Sequence, residues 1–348
     1  MLTNISISNF KSLEDESLDL KPLTILTGTN SSGKSSVIQA IMLVLKYSST
    51  PNMYSMEELT RYLNNFSAIR NKKVNAKEIK ISIIDDTKTS EVVITPDVIS
   101  GSGFMEYVYE PIGDNDKKEL LYLNANRMGA QEQVAVTERR VGNAGEFLFS
   151  TFDKIKSLPL SDCLVKFPDS KTIAYQLAEW MSFISGTDSE LITENSGEKI
   201  KVSFKIKDLE GSVSPFNLGA GMSYLSKVLI ICLMAKKGDL ILIENPEVQL
   251  HPKAQAQLGV FLTHIAKSGV QLIVETHCEH LINKIAYQVY DEAYLKQDLI
   301  IHYKPSVDDN FISLRVDETG RYTDLNNKPA VFPKGFFDAT LDDLRSMQ

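Results

Sequence analysis

The sequence predicts an α/β fold with a mixed central sheet, an antiparallel β layer and a helical insertion. Three patterns lead to this prediction. A buried strand at 23–27, a glycine-rich turn and an apolar helix at 36–45 follow one another without a gap. A second apolar strand, 240–243, ends in a carboxylate, as a buried central strand does when it presents an acid at its carboxyl edge. Short strands near 79–94 and 200–206 alternate with period two, which indicates antiparallel sheet.

Composition places the chain among ordinary globular proteins. It has 348 residues, 43% hydrophobic and 24% charged, which suits one large or two modest domains. It has no apolar run of about 18 residues and no secretion signal at its start, so we expect a cytoplasmic protein without membrane contact. The net charge of -8 disfavours nonspecific nucleic-acid binding by the whole surface but leaves room for a local basic groove. Three widely spaced cysteines are expected to be reduced and packed.

The first elements lead into a phosphate loop. Residues 4–7 alternate like a half-buried strand and are followed by an expected acidic turn at 14–16. Segment 28–35 has the two glycines, the lysine and the hydroxyl of a phosphate loop, whose glycines let main-chain N–H groups face phosphates. We expect Lys34 to reach the β- and γ-phosphates and Ser35 to reach magnesium. The predicted nucleotide-binding residues are Gly28, Asn30, Ser31, Ser32, Gly33, Lys34, Ser35 and Ser36.

The middle of the chain changes from helical to strand periodicity. A helix is predicted around 56–63, and short strands at 79–83, 92–94 and 107–109 indicate an antiparallel sheet that flanks the nucleotide site. The next strand, 120–123, leads into a loop.

An inserted helical region is expected from about residue 137 to 186. Its apolar residues recur at helical spacing and are more typical of a core than of a ligand box. They are Phe147, Leu148, Phe152, Ile155, Ile173, Leu177, Trp180 and Met181. A strand at 200–206 and a helix from about 223 to 236 follow.

Two acids and a histidine follow the next apolar strands. Glu244 and Glu247 come after strand 240–243, where Glu244 can hold magnesium; alternatively, both are solvated loop residues. A helix is predicted to begin at Pro252 and to end before Gly269. His277 closely follows the next buried strand, where it can sense a γ-phosphate, although a single histidine is more often structural.

Several of these blocks resemble the AAA-type ATPases of the OLD and SMC-like branch of the ABC superfamily. The phosphate loop, the Walker B region and the switch histidine are specific jointly, whereas the signature loop is degenerate. The matching blocks are Ile7-Ser8-Asn9-Phe10-Lys11-Ser12, the phosphate loop 28–36, the signature loop Gly219-Ala220-Gly221-Met222-Ser223, the Walker B region 244–252, and Glu275-Thr276-His277 with the switch histidine. Segment 332–338 also resembles the ending of a subgroup found in prokaryotic defence operons.

The resemblance implies an ABC-type P-loop ATPase with ATP and Mg2+ as cofactors. Its implied parts are an N-terminal ATPase segment, 1–136, a helical insertion, 137–195, and a C-terminal ATPase segment, 196–348, with the signature loop, Walker B region and switch histidine. It also implies a homodimer, or a higher oligomer, that sandwiches two ATP molecules head to tail. Each site would take Lys34, Ser35, Glu244 and His277 from one chain and Gly221 and Ser223 from the other.

One departure concerns the general base. The family has an aspartate for magnesium followed directly by a catalytic glutamate, whereas this chain has Glu244 and Asn245, and asparagine cannot accept a proton as a base. Either Glu247 polarises the attacking water while His277 orients it, or hydrolysis is slow and the protein is an ATP-driven clamp. We favour Glu247 as the catalytic base, with His277 and Lys34 as its catalytic partners.

The loop after strand 120–123 has two interpretations. Arg127, with Gln131 or Gln133, lies where these ATPases place a loop that senses magnesium or passes the nucleotide state to the insertion. An ordinary surface loop is an equal alternative.

Three functions compete. The favoured one is a dimeric ATPase that regulates an effector or nuclease subunit from another chain in anti-phage defence. The second is an SMC-like DNA-binding or repair ATPase, for which the sequence offers only the short basic runs 70–73 and 139–140. The third, a self-contained nuclease of the OLD type, is disfavoured because few residues follow His277 and because Asp338, Asp342 and Asp343 resemble a solvated acidic helix.

Overall fold

The computed structural model describes residues 1–48, 56–86, 88–103, 105–110, 117–207, 209–333 and 336–337. Its strands are β1 (Leu2–Phe10), β2 (Leu13–Asp19), β3 (Leu23–Gly28), β4 (Ile79–Asp85), β5 (Thr89–Ile94), β6 (Ile99–Ser102), β7 (Tyr107–Tyr109), β8 (Lys118–Leu123), β9 (Gln133–Ala135), β10 (Ser189–Asn195), β11 (Lys199–Ile206), β12 (Ser212–Val213), β13 (Leu240–Glu244), β14 (Gln271–Glu275), β15 (Leu299–Lys304), β16 (Ile312–Val316) and β17 (Tyr322–Thr323). Its helices are α1 (Lys34–Ser48), α2 (Glu57–Thr60), α3 (Phe66–Ile69), α4 (Leu148–Ile155), α5 (Ile173–Ser185), α6 (Ala220–Leu233), α7 (Pro252–Lys267) and α8 (Glu279–Tyr290).

A mixed central sheet positions the predicted site. Its strand order is β17-β16-β15-β3-β14-β13-β8-β7, and the strands from β15 to β8 run parallel. Every residue of β3, β13, β14 and β15 is buried, which is why these segments are mainly apolar without alternation. Because parallel strands end at one edge, the phosphate loop after β3 and the acids that end β13 and β14 lie on the same side.

Two hydrophobic cores cover the two faces of this sheet. Leu240 and Leu242 of β13 pack with α1 and the antiparallel sheet. Ile241 and Ile243 of the same strand pack with α4 to α8. Both faces of β13 are therefore covered by apolar side chains, and this packing on two sides fixes the position of its carboxyl end.

The antiparallel layer has the order β2-β1-β4-β5-β6 and confirms the strands predicted at 79–83 and 92–94. Two expectations here are wrong. Segment 107–109 is β7, which pairs with β8 in the central sheet, because the strand pattern does not specify a pairing partner. Residues 14–16 are part of β2 and not a turn, since Glu16 is buried against Lys304 of the neighbouring sheet.

The inserted region contains the predicted helical core and an additional hairpin. Phe149 and Phe152 of α4 and Trp180 of α5 are buried, and Trp180 lies edge-on to Phe261 of α7 with ring centroids 4.9 Å apart. Strand β10 lies within the predicted insertion, 137–195, and pairs along its length with β11. A boundary at 195 thus divides one hairpin. Strand β9, which precedes the insertion, also pairs with β11, which follows it, so the two segments that flank the insertion are hydrogen-bonded to each other.

The C-terminal half follows the predicted order. Helix α6 begins at Ala220, three residues earlier than expected, and α7 begins at Pro252 as predicted. Phe332 lies over Tyr303 and Tyr322 at centroid distances of 5.4 and 5.0 Å. The acidic positions 338, 342 and 343 lie outside the described residues. Among the helices that the structure describes, none combines the length and the apolar character that a membrane span requires.

Candidate nucleotide-binding site

The phosphate loop has the curled backbone that its sequence predicts. Gly28, Ser31 and Gly33 have φ angles of 134°, 59° and 114°. A Cβ atom on Gly28 would lie 2.1 Å from the carbonyl oxygen of Lys304, and one on Gly33 would lie 2.5 Å from Ser12 Oγ. Backbone conformation thus favours glycine at both positions, and at Gly28 the approach to a main-chain oxygen also requires it, whereas the Ser12 side chain can move away from Gly33.

The crown of the loop is open, whereas its base is enclosed. Asn30 and Ser31 are exposed, while Ser32 and Lys34 are buried. Lys34 Nζ donates a hydrogen bond to the carbonyl oxygen of Thr29 at 2.5 Å. Burial lowers the pKa of Lys34, and the nearby Glu275 carboxylate acts in the opposite direction. The ammonium thus lies inside the loop, bonded to its main chain.

Three carboxylates gather at the edge of the central sheet beside α1. Glu244 and Glu275 end the paired strands β13 and β14 and are register partners, and Glu247 follows in the next turn. Burial raises the pKa of each of these three carboxyl groups, and for Glu275 the Glu244 and Glu247 charges act in the same direction. Such a cluster of mutually repelling acids favours the binding of a cation.

Ser35 contacts an acid that the sequence analysis did not select. Its Oγ donates to Glu275 Oε1 at 2.9 Å, not to Glu244. Both Glu244 oxygens already accept hydrogen bonds, Oε1 from the Tyr122 hydroxyl at 2.9 Å and Oε2 from the Ala125 N–H at 3.1 Å. Ser35 and Glu244 are thus bonded to different partners, and the strand β14 lies between the strands β3 and β13 that precede them. That both hold magnesium stays a prediction.

The expected base and switch histidine lie next to each other. Glu247 Oε1 accepts a hydrogen bond from the His277 main-chain N–H at 3.2 Å, and Glu247 is 8% exposed. The His277 side chain is exposed and close enough to Lys34 and Gly28 for both to influence its ring. Although the ring is open to solvent on one side, desolvation by the protein on the other side lowers the pKa of His277, and the Lys34 charge lowers it further. The lowered pKa favours the neutral imidazole of His277, which can form hydrogen bonds without carrying a charge.

Arg127 supports the Walker B turn. Its guanidinium donates to the carbonyl oxygens of Glu244 at 3.0 Å and Asn245 at 2.8 Å, and it lies over the Tyr224 ring at 5.2 Å. Burial lowers its pKa to about 10. Asn245 has a positive φ of 46°, so the turn has a conformation that these bonds help to hold. Arg127 connects the acid cluster to α6 without reaching the open side of the phosphate loop.

The two glutamines considered with Arg127 point elsewhere. Gln131 donates to the carbonyl oxygen of Glu146 and accepts from Lys227 of α6. Gln133 is exposed on β9 and accepts from Lys199. Neither contacts the acid cluster, so this loop reaches the site through Arg127.

The signature loop is exposed at its first two residues and buried at Ser223. Gly219 caps α6, and Gly219 and Ala220 are exposed. Gly221 lies against the main chain of Gln249, where a Cβ would be 2.5 Å from the carbonyl oxygen. Ser223 is only 1% exposed, and its hydroxyl has no partner within the described part of the chain. The exposed part of the signature loop is Gly219 and Ala220, and the contact of Gly221 and Ser223 with a second copy stays a prediction.

The residues fit a nucleotide with its cation. Buried oxygens of Asn245, Glu247 and Glu275, namely Oδ1, Oε2 and Oε2, lack hydrogen-bond partners among the described residues. No group of three or more potential ligand side chains within the described ranges is arranged to hold a metal by itself. Magnesium that keeps several waters and binds phosphates needs only one or two protein ligands, so these acceptors and Ser35 suit it.

Two family models match adjoining parts of the chain. The model described as "AAA ATPase domain" matches residues 1–138. The model described as "AAA domain, putative AbiEii toxin, Type IV TA system" matches residues 113–283. Together they include the phosphate loop, the acid cluster and the switch histidine.

Curated relatives and solved structures agree with these matches. The Old nuclease of Escherichia phage P2 is 24% identical over 342 residues, covering 81% of this chain and 57% of the relative. The OLD nuclease of Thermus scotoductus is 25% identical over 320 residues, covering 80% of this chain and 59% of the relative. The chain thus spans under three fifths of the length of these two relatives.

The fold is also that of SMC heads. An Smc head bound to the C-winged helix domain of ScpA has a TM-score of 0.59 at 15% identity, covering 91% of this chain and 98% of that one. An Smc head with an extended coiled coil, bound to the C-terminal domain of ScpA derived from Pyrococcus furiosus, has a TM-score of 0.55 at 12% identity, covering 90% and 96%. Over most of its length the chain thus resembles AAA ATPase domains and OLD nucleases, and it has the ABC-type fold of SMC heads, as the sequence predicts.

Proposed function

We propose that the chain is an AAA-type ATPase, that two copies sandwich two Mg-ATP molecules head to tail, and that this ATP-dependent contact regulates a partner effector in anti-phage defence. The observation that carries the proposal is the openness of the phosphate loop. Its crown, Asn30 and Ser31, is exposed, and so is the start of the 14-residue helix α6 at Gly219 and Ala220. A helix start carries free N–H groups and a partial positive charge, which suit a γ-phosphate held by a second copy.

The chain's own residues divide the work of ATP hydrolysis. Lys34 binds the β- and γ-phosphates, and Ser35 binds Mg2+, which offsets the phosphate charge. Glu247 accepts the proton of the attacking water, and His277 orients that water and contacts the γ-phosphate. Loss of the γ-phosphate removes the contacts that span the two copies, so hydrolysis weakens the dimer.

The descriptions of one matching family model and one relative support the defence role. One matching family model is described as a putative AbiEii toxin of a type IV TA system, and one relative is a phage nuclease. An ATP-dependent dimer provides such a system with a switch, because the bound nucleotide decides whether the two copies are joined. The effector belongs to the class of nucleases or other toxic subunits.

Direct DNA binding is the second candidate, and the structure favours it less. Arg139 and Arg140 are paired with the buried acids Glu110 and Glu119, at 2.7 and 2.5 Å. In the other basic run, Lys73 pairs with Asp308 at 2.8 Å. These partners reduce the positive charge that either run presents to a phosphate backbone.

Mass in solution tests the sandwich. We expect the wild type to double its mass with Mg-ATP, Glu247→Gln to stay dimeric because it cannot hydrolyse ATP, and Lys34→Ala to remain monomeric. Ala220→Arg places a large charge at the exposed start of α6 and should abolish the dimer, whereas Ser196→Arg, in the exposed turn after β10, should not. A mass independent of ATP, or a dimer that survives Ala220→Arg, contradicts the proposal. Phosphate release that only DNA stimulates, without dimerisation, supports the second candidate.

A further inference from the structure

A cavity of about 690 Å3 lies at the carboxyl end of α6, the end away from the signature loop. It opens between α6, α4 and the chain that joins α4 to α5. Its apolar walls are formed by Ile155, Leu158, Leu160, Ile173, Leu233 and Met234. Among the described residues that line it, none belongs to the phosphate loop, the acid cluster or the signature loop. The cavity is therefore separate from the nucleotide site, and its volume suits a small organic molecule.

An arginine in the cavity wall has donors that the protein itself does not use. Arg140 Nη1 donates to both carboxylate oxygens of Glu119, at 2.6 and 2.5 Å, and Glu119 lines the cavity beside it. Arg140 Nε and Nη2 have no acceptor within the described ranges. These two nitrogens form one edge of the planar guanidinium, and such an edge binds two oxygens of an anion in parallel. Glu119 thus holds the arginine in place by one nitrogen and leaves this edge to a ligand.

The charges of the lining favour an anion over a cation. Because Arg140 and Glu119 compensate each other, the remaining charged side chains decide the balance. Lys154 and Lys236 are both exposed at the cavity, and Glu138 is the remaining acid among the described residues that line it. The positive charges therefore outnumber the negative ones where a ligand would enter.

The rim of the cavity is apolar. Leu158 is 53% exposed and the adjoining Pro159 is also exposed, whereas Leu160, Ile173 and Leu233 are buried in the wall. An apolar ligand body at this place would cover the leucine side chain and remove its surface from water, which favours binding. The cavity thus combines apolar walls with one set of oriented donors, as sites for small molecules do.

We propose that this cavity binds a small amphipathic anion. Its carboxylate, sulfonate or phosphate oxygens accept hydrogen bonds from Arg140 Nε and Nη2, and its apolar body lies between Leu158 and the buried wall. Hydrogen bonds to a charged group that is already held in place favour the anion over a neutral analogue by about 10–100-fold. The site does not involve the nucleotide, so the inference stands independently of the ATP sandwich.

Isothermal titration calorimetry with octanoate tests the proposal, with octanamide as its neutral analogue and acetate as the head group alone. We expect one octanoate to bind per chain, and octanamide to bind about 10–100-fold more weakly. Acetate should show no detectable binding, because it lacks the apolar body. The titrations are done without nucleotide, which keeps them independent of dimerisation. Equal affinities for octanoate and octanamide, or no saturable binding of octanoate, overturn the proposal.

A substitution at the rim locates the bound molecule. Leu158→Asp places a negative charge beside the ligand and removes an apolar contact, so it should weaken octanoate binding about tenfold or more. Leu295→Asp is the matched control, because Leu295 is 55% exposed and does not line the cavity, and it should leave the affinity unchanged. If the two variants bind octanoate equally well, the molecule binds elsewhere and the proposal is wrong.

A double variant tests the arginine. Glu119→Gln with Arg140→Met removes both charges of the pair, so no buried charge is left uncompensated. It should bind octanoate as weakly as octanamide and retain the wild-type affinity for octanamide. Arg140→Lys keeps the charge without the planar edge and should give an intermediate affinity, which keeps the test usable if the double variant folds poorly. Far-UV circular dichroism and thermal melts confirm that each variant is folded. A double variant that still prefers octanoate overturns the proposal.

Discussion

The buried ion pair between β2 and β15 provides a sharp test of the packing beside the phosphate loop. Glu16 Oε1 and Lys304 Nζ are 2.5 Å apart, with side chains only 4% and 2% exposed. The Phe311 main-chain N–H also donates to Glu16, at 3.2 Å to Oε2, and its ring lies 4.9 Å from the lysine nitrogen. Removing the lysine alone leaves an uncompensated buried carboxylate, which costs about 3–5 kcal/mol.

Lys304→Met is therefore expected to lower the free energy of unfolding by about 3–5 kcal/mol and the melting temperature by roughly 10 °C. Adding Glu16→Gln should restore most of that loss, because glutamine keeps an acceptor for the Phe311 N–H and carries no charge. The measurements are urea unfolding and thermal melts of Lys304→Met, Glu16→Gln and the double variant, monitored by tryptophan fluorescence and circular dichroism.

An exposed pair supplies the matched control. Lys73 and Asp308 are 2.8 Å apart, but their side chains are 65% and 68% exposed. Lys73→Met should leave the stability nearly unchanged, since solvent screens such pairs. If Lys304→Met costs no more than Lys73→Met, or if the double variant is less stable than Lys304→Met, the reasoning from burial is refuted.

Three further predictions concern the site and its supports. Gly28→Ala should abolish ATP binding and lower the melting temperature, because its Cβ would lie 2.1 Å from a carbonyl oxygen; Gly197→Ala, with positive φ but open space, is the control. Arg127→Lys should reduce phosphate release about tenfold, since one ammonium replaces a fork that bonds two carbonyls. Burial lowers the pKa of Lys227 to about 7 in the folded chain, whereas it is about 10.5 in the unfolded chain. Between these two pH values only the unfolded chain keeps the proton on this lysine, so the folded state becomes more stable as pH rises. Lys227→Met should lack this rise in melting temperature.

Each of these has a result that contradicts it. Equal stability and ATP affinity of the Gly28 and Gly197 variants would show that the close approach is relieved at little cost. Wild-type turnover in Arg127→Lys would mean that the Walker B turn holds its shape alone. A pH slope retained in Lys227→Met, and equal to that of the exposed-lysine variant Lys253→Met, would assign the slope to other groups.

Local pattern was sufficient for the parts of the site that depend on local geometry. The phosphate loop requires small residues and a helix start within a few positions, so Gly28, Gly33 and Lys34 can be identified directly. The apolar runs that became β13 and β14 are equally clear, because strands buried on both faces cannot alternate. Helices α4, α5 and α7 follow their apolar spacing closely.

Long-range pairing could not be read in the same way. Glu275 stands out only when β14 is known to lie between β3 and β13, and strand order is a property of the whole sheet. Its one sequence signal is an acid that ends an apolar strand, the same signal that selected Glu244. The burial of Glu16 depends likewise on Lys304, which is distant in the chain. The burial of Ser223 could not be predicted either, because it depends on which face of α6 packs against the rest of the chain.

The pairing of β9 with β11 has a consequence for how the chain can be lengthened. Val134 and Ile200 are register partners, so the chain between them is a loop closed at its base, although its helices also pack on α6 and α7. Extra chain inserted at the exposed Leu158 would lengthen this closed loop, at an entropic cost that grows only slowly with length. Such an insertion would leave the pairing of β9 with β11 in place, and Arg127 precedes that pairing in the chain.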